Sequence, residues 1–369
     1  MLTICNRTDL LKGVNTVSKA VSNKTTSPIL ECILLDAEGA TLTLLGNDLE
    51  LGIETKIEAV VKKEGCIAVN ARIFSEIIRR LPDEDIKIEV DDTYTITIEC
   101  ARSKFNIAGQ SGDDFPRLPQ MQTKQQIILS QGTFKDMIHN TIFSTAPEDS
   151  GRPILTGELM DIRDGYLYLV AVDGYRISMR RTQVNCSEEF KVTVPGKALN
   201  EIHKILENEE DSLMTVNFTG KHVIFQMNDT TVLTRLLEGE FLQYERNLNM
   251  EYKSKVTINK KELLDSVDRA ALISRENKNS SPIRLQIEKD KMIITSNAEN
   301  GSAYEEVALG LEGEELAIAF NPRYYMDALK AIEEETISIL FSSSLSPCII
   351  QDPDAEDYKY FILPIRLHS

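Results

Sequence analysis

The sequence predicts an α+β chain of three repeated two-layer domains, and three observations carry that prediction. Pro28-Ile29-Leu30 returns as Pro153-Ile154-Leu155 and, more loosely, as Pro282-Ile283-Arg284-Leu285, at spacings of 125 and 129 residues. Two kinds of amphipathic helix return with a similar spacing. Short alternating apolar runs, bounded by Gly, Asp or Asn, surround every helix and read as antiparallel strands. Length agrees, since 369 residues exceed the roughly 100–150 of one ordinary domain. A composition of 42% hydrophobic and 27% charged residues is that of a folded globular chain.

In chain order, the first helix type runs from about Asn6 to Ala20 (Leu10, Leu11, Val14, Val17), from Gly132 to Ile142 (Phe134, Met137, Ile138) and from Asn259 to Leu272 (Leu263, Leu264, Val267, Ala271). Spacings of three and four put these side chains on one buried face. The second type runs from Ala71 to Leu81, from Gly196 to Leu206 and from Pro322 to Ile332, with Phe74, Leu199 and Tyr324 each 125 residues apart. Strands are expected at Thr41–Leu45, Thr93–Ile98, Tyr166–Val170, His222–Phe225 and Lys291–Ile294. Each third thus holds two copies of one unit: a strand, a helix and several antiparallel strands. Polar stretches near 122–126 and 250–254 place the domains at 1–123, 124–252 and 253–369. Six such units side by side leave an open strand edge at each end. Two chains meeting head to tail would pair those edges and close a ring, while an open three-domain arc would repeat equally well.

A net charge of −17 excludes simple electrostatic adhesion to nucleic acid or to an anionic membrane. Its distribution is uneven, because the six helix segments carry 14 basic residues against 8 acidic ones, which leaves the remainder at −23. The charged side of an amphipathic helix points away from its sheet, so helices turned inward in a ring would make a positive lumen within a negative skin. The same charges also suit ordinary solvated faces. Six scattered cysteines with no C-x-x-C pair, and four distant histidines, exclude a zinc site and a disulfide framework. No metal and no cofactor are expected. No apolar run approaches the roughly 20 residues of a membrane span, and the first residues lack the pattern of a signal peptide. A cytoplasmic protein without membrane contact is expected.

Catalytic motifs are missing too: there is no phosphate-binding glycine loop, nucleophile elbow or metalloprotease helix. Asp173-Gly174-Tyr175-Arg176 sets a carboxylate beside a guanidinium, yet Asp-Gly is turn chemistry and Arg176 suits an ion pair or a hydrogen-bonding fork. Asn47-Asp48 holds the same place 125 residues earlier, which makes Asp173 a feature of the repeat. The acidic stretches Glu207–Asp211 and Glu333–Glu335 read as solvated helix ends or loops. Tyr360–Ile362 reads as a last strand, from which Leu363-Pro364-Ile365-Arg366 departs with apolar side chains and a proline that cannot continue a ladder. Apolar residues beside Pro and Arg suit a peptide-binding groove.

Several of these segments, taken in order, resemble one family over the whole chain. They are Pro28-Ile29-Leu30, Arg152-Pro153-Ile154-Leu155, Val172-Asp173-Gly174-Tyr175-Arg176-Ile177, Gly239-Glu240-Phe241 with Tyr244 and Arg246, Arg269–Ile273, Phe320-Asn321 with Tyr324, and Leu363–Leu367. The family is that of the bacterial DNA polymerase III beta subunits, the sliding clamps. The resemblance implies the DNA clamp fold, with helices lining the inside of a ring-shaped head-to-tail homodimer and antiparallel sheets outside. It implies a non-catalytic processivity factor that encircles double-stranded DNA regardless of sequence. The implied partners, held through short linear motifs, are the DNA polymerase III alpha subunit, the clamp loader, other DNA polymerases, mismatch repair proteins and ligase.

Carried over by position, the motif groove would be lined by Leu155, Val172, Gly174, Tyr175, Arg176, Ile177, Leu242, Arg246, Asn321, Tyr324, Leu345, Pro347, Leu363, Pro364, Ile365 and Arg366. DNA-facing residues would be Lys12, Lys19, Lys24, Arg79, Arg80, Arg152, Lys197, Lys204 and Lys330. The dimer contact would use Phe105, Ile107, Leu272 and Ile273, flanked by Arg72, Lys104 and Glu299. This chain has Leu242, Val172 and Tyr175 where the family often has Pro, Thr and His, so a more apolar groove is expected. Two competing readings stand beside this one. A hydrolase using Asp173 and a distant His has no supporting spacing, and a monomeric three-domain scaffold would bind proteins without encircling DNA.

Overall fold

The computed structural model of the chain describes every residue except 23–24, 120–121, 187, 246–249, 276–281, 300, 356 and 367–369. Its strands are β1 (Leu2–Asn6), β2 (Cys32–Glu38), β3 (Thr41–Asn47), β4 (Leu51–Glu58), β5 (Val60–Lys63), β6 (Gly65–Asn70), β7 (Asp85–Val90), β8 (Thr95–Cys100), β9 (Ser103–Ser111), β10 (Gln125–Ser130), β11 (Gly157–Arg163), β12 (Tyr166–Val172) and β13 (Arg176–Gln183). They continue as β14 (Phe190–Pro195), β15 (Leu213–Phe218), β16 (His222–Met227), β17 (Thr230–Arg235), β18 (Ser254–Asn259), β19 (Ile283–Ile287), β20 (Lys291–Ala298), β21 (Gly301–Gly313), β22 (Leu316–Phe320), β23 (Thr336–Phe341), β24 (Cys348–Gln351) and β25 (Tyr358–Ile362). The α-helices are α1 (Arg7–Val17), α2 (Ala71–Arg80), α3 (Gln131–His139), α4 (Gly196–His203), α5 (Lys260–Arg275) and α6 (Pro322–Lys330).

Each of these helices follows directly on a strand, and at four junctions an asparagine makes the change. Asn6 Oδ1 accepts from Thr8 N at 2.8 Å, and Asn70 Oδ1 from Ile73 N at 3.2 Å. Asn259 and Asn321 do the same for Glu262 N and Arg323 N, both at 3.0 Å. Such a cap contributes about 1 kcal/mol and stops the strand by recruiting the amides that follow. The predicted periodicity holds at the centre of each face, where Leu10, Val14 and Val17 of α1, Phe74 and Ile78 of α2, and Leu263, Val267 and Ala271 of α5 are fully buried, while Leu11, Ile77 and Leu264 at its margins are half-buried and Ile73 is exposed. Arg7 fastens α1 to α2, donating from Nε to Ile78 O at 3.2 Å and from Nη2 to Arg79 O at 2.6 Å. Those are carbonyls that the end of α2 would otherwise leave unmade.

The chain divides into two compact units. The first (Met1–Gly132 and Glu201–Leu236) holds a 13-stranded antiparallel sheet in the order β10-β15-β16-β17-β4-β3-β2-β6-β9-β8-β7-β1-β5. Strands from the first and second thirds of the sequence meet in it where β17 pairs with β4, Thr230 opposite Thr55 and Thr234 opposite Leu51. The second unit (Thr133–Asn200 and Leu237–Ser369) holds a 12-stranded sheet, β14-β11-β12-β13-β25-β24-β23-β18-β21-β20-β19-β22. There β13 pairs with β25, Arg176 opposite Ile362. Its largest core packs Leu263, Val267, Tyr325 and Leu329 from the helices against Leu285, Ile294, Ile339 and Ile350 from the strands.

Pro28–Glu31 and Pro153–Thr156 are single 3-10 turns, whereas in the looser third copy Ile283–Ile287 is a strand paired with β20 and β22. One expectation needs correction. The strand expected from Thr93 begins at Thr95, because Asp91 Oδ1 accepts from the Thr93 and Thr95 amides and draws Thr93-Tyr94 into a turn. Cys5, Cys32, Cys100 and Cys348 are buried thiols, Cys66 and Cys186 half-buried, and all six are free. One buried acid stands out. Glu158 on β11 has no exposure, and Thr141 Oγ1 lies 3.1 and 3.2 Å from its two oxygens.

Candidate functional site

One carboxylate sets the turn between β12 and β13. Asp173 Oδ1 accepts from the Tyr175 and Arg176 amides at 2.9 and 3.1 Å. The chain folds back over Gly174, whose φ of +94° is left-handed backbone that a side chain resists. This is the turn with an ion pair read from the sequence, but Arg176 is committed further. Its Nε donates to Asp173 Oδ2 at 2.9 Å, Nη1 to Asp327 Oδ2 at 2.8 Å and Nη2 to Phe143 O at 2.5 Å. The guanidinium lies over the rings of Phe143 at 5.3 Å and Tyr324 at 4.5 Å. At 7% exposure, Arg176 serves as part of a wall more than as a reaching contact.

Around the turn a groove assembles in the second unit. Leu155, Val172 and Ile177 are buried in one cluster with Leu340 and Phe361 and form a floor. Tyr175, Leu242, Leu345, Leu363 and Ile365 are exposed apolar side chains. Leu363 N donates to Tyr175 O at 2.9 Å and Ile365 N to Ala319 O at 2.8 Å, so the segment leaving β25 runs beside the turn. Pro347 and Pro364 are half-buried and Arg366 is exposed. Asn321 caps α6 and so sets the first turn, from which Tyr324 stacks on Tyr175 with centroids 5.9 Å apart and planes 23° apart. A cavity of about 520 Å³ opens among Ala146, Pro147, Ser150, Arg152, Leu155, Asp173, Gly174, Tyr175 and Tyr324. That size, with apolar and aromatic side chains set beside a few polar ones, suits the anchors of a short peptide.

The structure thus gathers Leu155, Gly174, Tyr175 and Tyr324 into one cavity and adds Ala146, Pro147 and Ser150, which sequence reasoning missed. Arg152, expected to face DNA, lines this cavity. Arg246 and Lys24 lie outside the described residues, as do His368 and Ser369. The approach to Leu242 is anchored upstream and downstream. Gly239, at φ +135°, makes a bend only glycine adopts easily, and the buried Tyr244 donates to Asp161 Oδ2 at 2.7 Å, where Arg163 Nε also bonds at 3.2 Å.

The residues expected at a dimer contact fall on two strands, each described within its own unit. In the first unit, Ser103–Ala108 of β9 pair on one side with β8, and only Gly109–Ser111 turn to β6. Among the described residues the other edge of Ser103–Ala108 is unpaired. Phe105 is exposed there, and a cavity of about 330 Å³ lies among Arg72, Ile73, Glu76, Ile77, Arg80, Leu81, Ser103 and Phe105. Ile107 is half-buried. In the second unit, Gly301–Ala308 of β21 pair with β20 while Leu309–Gly313 pair with β18, which again leaves one edge of the first half open among the described residues. Leu272 and Tyr304 are exposed beside it and Ile273 is half-buried. Tyr304 was missed because a lone aromatic in an alternating run looks like any strand residue. Lys104 already bonds Glu99 at 2.8 Å, whereas Arg72 and Glu299 have no ion-pair partner among the described residues.

The basic residues differ in their surroundings. Arg79 and Arg80 share Glu76 at 3.0 Å each, and Lys204 bonds Glu201 at 2.8 Å. Burial, and after it the nearby Lys204, press the Lys19 ammonium below its ordinary pKa against the pull of Glu201. Lys12, Lys197 and Lys330 are exposed. Among the described residues no three His, Cys, Asp or Glu side chains are grouped to hold a metal, and no helix is long and apolar enough to cross a membrane.

Models of the DNA polymerase III beta subunit match the chain in three parts: the N-terminal domain over residues 1–119, the central domain over 128–243 and the C-terminal domain over 246–366. The beta sliding clamp of Halalkalibacterium halodurans is 36% identical, covering 99% of each chain. That of Bacillus subtilis is 33% identical over 97% of this chain and 98% of the relative. Among solved structures, a putative DNA polymerase III beta subunit from Eubacterium rectale matches with a TM-score of 0.95 at 43% identity, and the Bacillus subtilis sliding clamp with 0.95 at 31%, each covering 100% of both chains. The fold is therefore the three-domain DNA clamp fold, and the chain belongs to the DNA polymerase III beta subunit family.

Proposed function

We propose that the chain is a DNA sliding clamp, a processivity factor of which two copies close head to tail into a ring around duplex DNA. One observation carries the reading: two strand edges that are unpaired among the described residues, Ser103–Ala108 and Gly301–Ala308, stand at the residues where two copies would meet, each with exposed apolar side chains beside it. Pairing one with the other adds backbone hydrogen bonds and buries Phe105 and Ile73 against Tyr304 and Leu272. Arg72 and Glu299 would then find partners across the contact. The domains are assigned to 1–123, 124–252 and 253–369, with their helices toward the DNA. Lys12, Lys19, Lys197, Lys204 and Lys330 would screen phosphate charge without lasting contacts, as a ring that must slide requires. The groove around Tyr175, Tyr324 and Leu363 would hold linear motifs of a polymerase and of other replication and repair proteins, with Arg152 on its rim.

Light scattering on a gel-filtration column tests closure. A mass near twice 41.6 kDa supports the ring, and a single-chain mass leaves a monomeric scaffold. Loaded protein should then survive high salt on sealed circular DNA and slip off linear DNA. Equal loss from both would refute encirclement.

A further inference from the structure

Beside the groove, four planar groups follow one another: the Phe143 ring, the Arg176 guanidinium, the Tyr324 ring and the Tyr175 ring. Only the last is well exposed, at 60%. The stack is as rigid as the guanidinium within it, which three hydrogen bonds fix. The bond to Asp173 stays inside the turn, since Asp173 and Arg176 are three residues apart. The bond to Asp327 reaches a different element. Asp327 lies on α6 three residues after Tyr324, on the same helix face, so its 2.8 Å bond to Nη1 determines how Tyr324 is offset from the turn that carries Tyr175.

Asp327 is not among the residues that line the groove's cavity. We propose that Asp327 is a positioning residue for motif binding, acting through Arg176 to hold Tyr324 and Tyr175 as a fixed wall on which a partner's apolar anchor packs. This rests on the groove reading given above. A wall set in advance spares the peptide the cost of ordering two aromatic rings, so loosening it weakens binding without removing any contact.

The test measures binding of an end-labelled peptide with a Leu-Phe anchor pair by fluorescence polarisation to the full-length chain, to Asp327→Ala, to Tyr175→Ala and to the double variant. Asp327→Ala is expected to weaken binding about tenfold alone but less than about twofold once Tyr175 is gone, because its effect passes through that ring. Asp327→Asn, whose amide oxygen still accepts from Nη1, should lose only about threefold. Dimer mass and thermal transition, measured in parallel, establish that each variant is folded. Equal losses in both backgrounds, or none in either, would overturn the assignment. If the unaltered chain fails to bind the peptide, the groove reading itself falls, and the inference falls with it.

Discussion

Glu158 holds its proton inside the folded chain, and that has a measurable consequence. Its carboxyl is fully buried, and burial raises its pKa well above the ordinary 4.5, offset only in part by the Thr141 hydroxyl. Thr141 Oγ1 lies 2.6 Å from Met137 O as well as 3.1 Å from Glu158 Oε1, so the hydroxyl proton that could steady an ionised carboxylate is shared with a backbone carbonyl. The unfolded chain ionises this group near pH 4.5, while the folded chain keeps it neutral to a much higher pH. Above that point the folded state therefore binds one more proton, and stability falls by about 1.4 kcal/mol per pH unit until the pH passes the folded pKa, after which it levels off. Glu158→Gln keeps the shape, still accepts from the same hydroxyl through its amide oxygen and does not titrate. Thermal unfolding of both chains between about pH 5 and 9 should show the variant gaining on the parent as pH rises. At roughly 2–4 °C per kcal/mol, the gain is about 3–6 °C per unit before the plateau. Parallel curves across that range would show that Glu158 is ionised when folded, and would refute the argument from burial.

Three further outcomes are expected. Phe105→Asp and Tyr304→Asp should each give folded single chains by light scattering, since a charge would be desolvated at an apolar contact, and an unchanged mass in both would refute the interface. Leu49→Gly should stabilise by roughly 0.5–1 kcal/mol, because exposed Leu49 sits at φ 75° where its repeat counterpart is Gly174, and a lowered thermal transition would show that no strain is relieved. Removing residues 363–369 should leave the dimer intact and abolish peptide binding, whereas retained binding would separate the groove from Leu363 and Ile365.

The repeat was legible because its markers are local. Proline fixes its own backbone at Pro28 and Pro153, and Asp48 and Asp173 build the same turn, with Asp48 Oδ1 accepting from Leu51 N at 2.8 Å. A second local signal went unread: asparagine closes the strand before four helices, at Asn6, Asn70, Asn259 and Asn321. What could not be read is what distance brings together. Asp327 reaches Arg176 across 151 positions, and nothing in either neighbourhood announces it. The looseness of the third proline segment has a structural counterpart, since Ile283–Ile287 lie between two partner strands and not in a turn. The groove's floor was legible as apolar sequence, but its wall was not, since Phe143 contributes a carbonyl and a ring that only the fold brings there.

The pairing of β4 with β17, and of β13 with β25, bears on how this protein can be cut. The polar stretches near 122–126 and 250–254 invite separate expression of the thirds. Each cut there would strip a strand of its neighbour and leave Leu51–Thr55, or Arg176–Arg180, as a bare edge with apolar residues beside it. Such fragments would be sticky whatever their own cores could support. The smallest pieces that keep every ladder whole are not runs of sequence at all, because each unit takes two separate stretches of chain.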